Sequence, residues 1–275
     1  MENYYNIKAL SQSQITTFMG DYWTYYDRRM PNPSAFWKMT PFNPNKEEQE
    51  PNDAMIFGNY MHKRFLEPQK AEKEYMVFDF GKSRRNKKFL EMQNKLKEEG
   101  VDKILISPDE KEKADAMCIA LSNNKFVMDL ISGAYIEKPL FMHDDEIGLD
   151  FKGKLDVIKR LKEGLVVIDY KTTNDVTKFL RYSHVRGLHI QEAMYNKLVA
   201  HKYKEQPIQF LFIVQSTKEG EEDHIAVCEF CEQRKEEGKH LLDALSYDIS
   251  EFLEKYKTDG ESVWQAYPQE ILTLR

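Results

Sequence analysis

The sequence predicts a mixed α/β fold, a central mixed sheet flanked by helices, and three observations predict it. Runs of β-branched and apolar residues at 134–142, 151–159 and 165–172 are separated by Asp-rich or Gly-containing turns, the pattern of adjacent antiparallel strands. Segments with helical periodicity or capping signals stand on both sides of these runs. A further buried run at 210–214 follows two helical segments, as expected when strands are embedded among helices in one continuous unit.

Each element has its own justification. Ser11 or Ser13 can cap a first helix that continues through the aromatic stretch 18–26. The proline-rich stretch 31–51 also carries Phe36, Trp37 and Phe42 and reads as an ordered loop. Ala54, Gly58, Met61 and Phe65 fall on one face of a helix that must stop before Pro68, with His62 beside that face. Residues 75–80 read as a strand, and a charged helix after it ends at Gly100. Ser107-Pro108-Asp109-Glu110 is a capping box with proline at the first helical position, and it opens a helix through Leu121. Beyond the three central strands, helices are predicted over 176–182 and 188–202, strands over 210–214 and 225–230, and a long charged helix to about Tyr256.

Composition limits the function. With 41% hydrophobic, 31% charged and 12% aromatic residues in 275, the chain is a folded one rather than a disordered one. One unit is expected over 1–275: a helical part to about 133, a core over about 134–230 and an acidic helical end from about 231. A formal charge of −6 excludes a uniformly basic nucleic-acid coat. The charge is unevenly spread, however. Residues 152–204 carry 12 Lys and Arg against 5 Asp and Glu, and residues 219–261 carry 5 against 14, so any nucleic acid should lie along the first segment and away from the second. The start has no basic segment followed by an apolar run, and no apolar stretch approaches the ~20 residues of a membrane span. Cys118, Cys228 and Cys231 are too few and too odd in number for a disulfide framework, which suits a reducing cytoplasm.

The segment richest in chemistry is Gly153-Lys154-Leu155-Asp156-Val157-Ile158, followed after a short turn by Val166-Val167-Ile168-Asp169-Tyr170-Lys171-Thr172-Thr173. Side chains alternate across a strand, so Asp169 and Lys171 project from one face, and a hairpin can bring Asp156 beside them. Two carboxylates converging inside apolar strands repel each other unless a cation joins them. Mg2+, or Mn2+ in its place, suits such hard oxygen ligands. A neighbouring lysine can hold or deprotonate an attacking water and balance charge that builds on a phosphate. These parts match phosphodiester hydrolysis, although a lone Asp-x-Lys is usually no more than a solvated charge pair.

Asp156, Asp169 and Lys171 together resemble the PD-(D/E)xK nuclease superfamily, whose restriction-endonuclease-like core is a mixed sheet flanked by helices. Gly58-Asn59-Tyr60-Met61-His62 resembles the Gly-x-x-x-His helix of its RecB-like branch, and Gln191-Glu192-Ala193-Met194-Tyr195 resembles the Gln-x-x-x-Tyr helix. With the opening Leu10-Ser11-Gln12-Ser13-Gln14-Ile15, the chain looks most like the RecE (exonuclease VIII) type of phage and prophage exonuclease. That resemblance implies metal-dependent 5′ to 3′ digestion of linear double-stranded DNA in a bacterial cytoplasm, leaving a 3′ single strand for an annealing protein. It also implies a homo-oligomeric ring, a tetramer or trimer. Asp156, Asp169, His62 and the main-chain carbonyl of Tyr170 would face the metal, Lys171 would serve the water or the charge, and Gln191 and Tyr195 would position DNA or brace the site. Glu137 would be an additional acid, unless it simply pairs with Lys138 at the surface. No proline precedes Asp156, and the cysteines cannot assemble the four-cysteine iron–sulfur cluster of some relatives. An endonuclease with the same metal site, or a catalytically silent DNA- or partner-binding protein, are the competing readings.

Weaker signals surround this set. Residues 148–155 imitate a P-loop but end in Leu155 where a hydroxyl must ligate Mg2+. His224, Cys228 and Cys231 have zinc-like spacing yet lack a fourth ligand and read as packing along a strand. Lys82, Arg84, Arg85, Lys87 and Lys88 crowd a predicted helix start, where cations oppose the helix dipole, and phosphate contact would relieve that conflict. Trp23, Tyr25, Tyr26 and Trp37 could stack on bases, but such aromatic helices are more often core.

Overall fold

The computed structural model describes residues 4, 7–28, 30–46, 51–81 and 83–260. The chain begins with α1 (Gln12–Met19), α2 (Tyr22–Arg28) and α3 (Pro33–Met39), followed by α4 (Asp53–Leu66) and α5 (Pro68–Glu74). Strand β1 (Tyr75–Val77), α6 (Lys87–Glu98), β2 (Ile104–Ile106), α7 (Pro108–Asn123) and α8 (Lys125–Ile131) come next. Three long strands, β3 (Tyr135–Asp144), β4 (Leu149–Arg160) and β5 (Leu165–Thr173), precede α9 (Val176–Tyr182) and α10 (Leu188–Tyr203). Strands β6 (Gln209–Ser216) and β7 (Ile225–Cys228) and the helix α11 (Glu232–Asp259) complete the described chain.

Among the described residues the central sheet has the order β3-β4-β5-β6-β7. The pairs β3/β4, β4/β5 and β6/β7 are antiparallel and β5/β6 is parallel, so the predicted mixed sheet forms, with its three adjacent antiparallel strands. The parallel step requires a crossover, which α9 and α10 supply. Apolar residues cover both faces. One core joins the sheet to α1, α3, α10 and α11 through Phe18, Phe36, Leu198 and Phe252; the other joins it to α4 and α7 through Met61, Met117 and Leu121.

Several expectations are corrected. The first helix is broken in two at Gly20, whose positive φ of 70° ends α1 before α2 restarts at Tyr22. Ser11, rather than Ser13, is the N-cap of α1. The stretch 31–51 contains α3, which the Asn32 side chain caps by accepting from the Ala35 N–H at 3.1 Å, with Pro33 at the first helical position. Pro68 does stop α4, and it opens α5 one residue later. The strand expected over 75–80 is confined to β1, which pairs with β2 outside the central sheet. The capping box at Ser107 forms as predicted: the Ser107 N–H donates to the Glu110 side chain at 2.8 Å, and the Glu110 N–H donates to Ser107 Oγ at 3.1 Å. The strand expected to reach residue 230 ends at Cys228, and Cys231 caps α11 instead of continuing it. No helix among the described residues is long and apolar enough to cross a membrane.

Candidate active site

The site lies where β4 and β5 part. Their ladder runs from Arg160↔Leu165 to Val157↔Ile168 and stops there. The next two residues in register are Asp156 and Asp169, so both carboxylates stand at the opening of a fork. Further along β4, the edge that β5 has left is taken by the segment before α1. Leu10 donates its N–H to the Asp150 carbonyl at 2.7 Å and accepts from the Lys152 N–H at 2.8 Å.

The alternation of β4 fails at this point. Leu149, Phe151 and Leu155 face the first core, Val157 faces the second, and Ile158 faces the first again. The partner strand fails opposite it: Leu140 and Met142 face the first core, Ile136 packs against the second, and Glu137 between them has φ +50°. A bulky residue is uncommon in that region, and such outliers gather at functional sites. Because both strands break together, their register survives on either side of residues 137 and 156.

Helices reach the fork from both faces. On the second-core side, α4 brings His62 Nδ1 to 3.4 Å from Asp156 Oδ2, its ring 5.0 Å from that of Tyr170. Gly58, one turn earlier, explains the spacing: a methyl there would already touch Thr172 Oγ1 at 3.4 Å, and anything larger would hold α4 away from β5. On the first-core side, α10 brings Gln191 Nε2 to donate to Asp169 Oδ1 at 2.8 Å. The other oxygen, Oδ2, pairs with Lys171. The Tyr170 N–H donates to Asp156 Oδ2 at 2.8 Å, and because a strand residue points its N–H and C=O the same way, its carbonyl opens toward the same fork. The Tyr170 hydroxyl is committed elsewhere, donating to Gln215 Oε1 at 2.6 Å.

His62, Glu137 and Asp156 each offer one ligand atom, all within 4.8 Å of one another, which suits a single cation held by nitrogen and carboxylate oxygen. Asp169 stands outside this trio. Its Oδ2 is buried and, apart from the ionic contact with Lys171, makes no hydrogen bond, which leaves acceptor capacity facing the site. Glu137 does not pair with Lys138. Its partner is Lys154, on the neighbouring strand.

Charge balance follows from burial. Burial alone would push the Asp156 carboxyl up, but His62, Lys171 and the Tyr170 N–H outweigh it and hold the group below its usual range. Burial dominates at Asp169, with Asp156 adding to it against Lys171, and the carboxyl is pushed up to about 6. Burial disfavours charge on His62 and on Lys171, yet Asp156 at the first and Asp169 at the second outweigh it and raise both. Glu137 is raised, by burial above all and then by Asp156, against Lys154 and His62. The Tyr195 phenol, one turn beyond Gln191, is held well above its usual range by burial and by Asp169 and Asp156.

The basic residues divide. Lys82 lies outside the described residues. Arg84 is not available to DNA as expected: its side chain is only 11% exposed, Nη2 donates to both Glu110 oxygens at 2.8 and 2.7 Å, and Nη1 is 3.3 Å from Asp53 at the start of α4. Arg85 is exposed, while Lys87 and Lys88 at the start of α6 pair loosely with Glu91 at 3.6 Å and Asp79 at 3.4 Å. Tyr25 is core as expected, its hydroxyl donating to Asp248 Oδ2 at 2.6 Å, and Trp37 packs on Tyr256; Trp23 and Tyr26 are instead exposed. The role of Lys154 went unforeseen, although alternating lysines leading up to Asp156 were a visible signal.

A mixed sheet whose antiparallel hairpin carries Asp156 and an Asp-x-Lys at its fork, between two helical layers, defines the class as PDDEXK-like. The chain belongs to the family described as PDDEXK-like domain of unknown function (DUF3799), whose model matches residues 32–258. A crystal structure described as "Putative exonuclease", from Eubacterium rectale, shares the fold with a TM-score of 0.61 at 15% identity, over 100% of this chain and 94% of that one. A second structure, SSO0001, aligns at 14% identity over 78% of this chain and 97% of that one, with a TM-score of 0.32 that bears no weight. No curated protein matches the chain significantly.

Proposed function

We propose that this protein is a metal-dependent deoxyribonuclease of the RecE type, hydrolysing linear double-stranded DNA from the 5′ end and leaving a 3′ single strand. The observation that carries the reading is the convergence of His62, Glu137 and Asp156 at the strand fork, beside the Asp169–Lys171 pair. The exonuclease mode draws support from the description of the Eubacterium rectale structure.

His62, Glu137 and Asp156, with Asp169 and the Tyr170 carbonyl beside them, would hold a hard divalent cation, Mg2+ or Mn2+. When bound, that cation polarises the phosphate and lowers the pKa of the attacking water. The chain's own groups do the rest. Gln191 fixes one oxygen of Asp169 and so orients the other toward Lys171. Lys171, kept protonated by Asp169 and Asp156, stabilises negative charge that builds on the phosphate instead of accepting a proton. Tyr195 stays a neutral phenol that can donate to a phosphate oxygen. A ring-shaped homo-oligomer, a single-strand annealing partner and a bacterial cytoplasm of phage or prophage origin complete the proposal.

Digestion of linear duplexes labelled at the 5′ or 3′ end, beside closed-circular duplex, with and without Mg2+, tests it. Loss of the 5′ label first, with intact circles and no reaction in EDTA, is expected. Nicked circles would replace the exonuclease by an endonuclease, and DNA that is bound but never cut with either cation would refute the enzyme altogether.

A further inference from the structure

Trp23 and Tyr26 on α2 present about half of their surface to solvent, 52% and 54%, and take no part in the fork. Beside them runs the segment that joins β5 to α10, whose Lys178, Arg181 and Arg186 are exposed and whose side chains make no ion pair or hydrogen bond among the described residues. We propose that α2 and the α9–α10 segment together form a binding surface for single-stranded DNA, with bases stacked on Trp23 and Tyr26 and phosphates running past Arg181 and Arg186. The proposal rests on the nuclease reading for the source of the strand, the 3′ single strand left at the fork, but not for its chemistry.

The two rings are set in place before any ligand arrives. Both rest on Tyr22, which is buried and whose hydroxyl donates to Glu237 Oε1 on α11. Tyr26 stacks on the Tyr22 ring at 5.7 Å and 18°, and Trp23 meets that ring edge-on at 4.8 Å and 82°. Rings already held in this way lose little freedom on binding. A base is the flat ligand that suits them, and since every base has a π-face, the stacking tolerates any sequence. In a duplex those faces are covered by the neighbouring pairs, so an exposed ring selects the single strand.

Charge identifies the occupant. Residues 176–191 contain Lys178, Arg181 and Arg186 and no Asp or Glu. Asp175, just before them, is committed to the cap of α9, where it accepts from the Lys178 N–H at 2.8 Å. A polyanion complements this segment along its length, whereas a protein partner would need an acid placed against each cation. Asp21 and Asp27 flank the aromatic residues, so the phosphates belong on the α9–α10 side and the bases on α2. The two sides meet at His184, whose ring lies 6.3 Å from that of Trp23 and 5.6 Å from that of Tyr22, and which stands between Arg181 and Arg186 in the chain. Position then ties the surface to the candidate site. Gly187 caps α10, and Gln191, about 6 Å further on at ~1.5 Å per residue, holds Asp169 at the fork. That step is about two nucleotides of a strand at ~3.4 Å each, so one strand can reach both.

The test measures fluorescence anisotropy of the full chain with a labelled oligothymidylate and with a blunt duplex, in EDTA, so that no result depends on cleavage. Trp23→Ala, Tyr26→Ala and Arg186→Gln are the informative variants; all three positions are exposed, and an unchanged Tm shows that the fold is intact. Each alanine should weaken oligothymidylate binding about 5- to 100-fold and leave duplex binding within about twofold of wild type. Arg186→Gln should lower the slope of log K against log salt by about 0.7. The strand should also quench tryptophan fluorescence, and Trp23→Phe should keep the affinity while losing most of the quench. A wild type that does not bind oligothymidylate, or folded alanine variants that bind it as tightly as wild type, overturn the surface. Equal losses on strand and duplex overturn the single-strand assignment, and a changed sedimentation coefficient in Trp23→Ala with binding intact would give the face to a second copy of the chain instead. A protein that shows the expected binding but cuts no DNA in Mg2+ or Mn2+ would keep this surface and lose the nuclease reading.

Discussion

Gly58 and Gly238 lie inside α4 and α11, so alanine at either removes the same helix penalty of about 1 kcal/mol that glycine carries. Their surroundings differ in a way that should reverse the sign. A Cβ on Gly238 would stand 2.3 Å from the His189 carbonyl oxygen and 2.6 Å from its carbon, backbone atoms of α10 that have no rotamer to adopt. A Cβ on Gly58 meets Thr172 Oγ1 at 3.4 Å and nothing closer. Restoring contact at Gly238 requires α11 to move off α10 by on the order of 1 Å, and overpacking of this kind costs about 1–3 kcal/mol, at the upper end when backbone is struck. Net of the helix gain, Gly238→Ala should lose about 2 kcal/mol, lowering Tm by roughly 4–8 °C, while Gly58→Ala should be neutral or gain up to about 1 kcal/mol. Thermal unfolding followed by circular dichroism, with urea midpoints at unchanged m, reads both. Since α10 carries Gln191, Gly238→Ala should also slow cleavage. A Gly238→Ala protein as stable as wild type, or two variants shifting in the same direction, would refute the reasoning.

Other outcomes follow from the same geometry. Glu192 is buried on α10 with Oε2 unpartnered; burial, then Glu229 and Glu232 against Lys235 and Lys239, push its carboxyl up to about 7 from an ordinary 4.5. The folded state therefore holds a proton over pH 4.5–7 that the unfolded state has lost, and this group's contribution to stability falls as pH rises through that window. Glu192→Gln should match wild type near pH 4.5 and exceed it above pH 7, by at most about 3 kcal/mol; an equal difference in urea midpoint at pH 5 and pH 8 would count against this. Arg84→Ala should cost about 2–3 kcal/mol by stranding Glu110, whereas Arg85→Ala and Lys87→Ala should stay within about 0.5 kcal/mol of wild type; a DNA-binding defect in Arg84→Ala without any loss of Tm would contradict the structural role. Gln191→Ala, by freeing Asp169 Oδ1, should weaken Mn2+ binding about 10–100-fold by titration calorimetry, and unaltered affinity would remove Gln191 from the site.

The parts of the site that the sequence discloses are those whose chemistry demands a residue type at a fixed spacing. Asp156, Asp169 and Lys171 follow from strand alternation and a hairpin, while His62 and Gln191 were named only by the resemblance of 58–62 and 191–195 to the Gly-x-x-x-His and Gln-x-x-x-Tyr helices, and the structure sets both beside the carboxylates. What the sequence hides is tertiary. Glu137 stands next to Lys138 in the chain, and only the paired break of β3 and β4 turns it toward Asp156 and Lys154. Arg84 belongs to a basic run that looks like a phosphate surface, and only the approach of α7 and α4 converts it into an internal tie. Lys152 and Lys154 resemble the remains of a P-loop until Leu10 pairs with β4 and brings α1 alongside them. Four short elements, α3, α5, α8 and β2, were also hidden, for so few residues give little periodicity unless turn or capping signals frame them; for α3 the Asn32-Pro33 cap was the available sign.

The central claim is that the β4–β5 fork binds a divalent cation and cuts DNA with it. Wild-type and Asp169→Asn proteins, each shown folded by its circular dichroism spectrum, should be compared side by side on a labelled linear duplex in Mg2+, Mn2+ and EDTA. Wild type should cleave with either cation and not in EDTA, and Asp169→Asn should lose at least about 10³-fold in rate, in line with removal of a group that orients charge at the reacting phosphate. Cleavage by wild type in EDTA, or undiminished cation-dependent cleavage by Asp169→Asn, would contradict it.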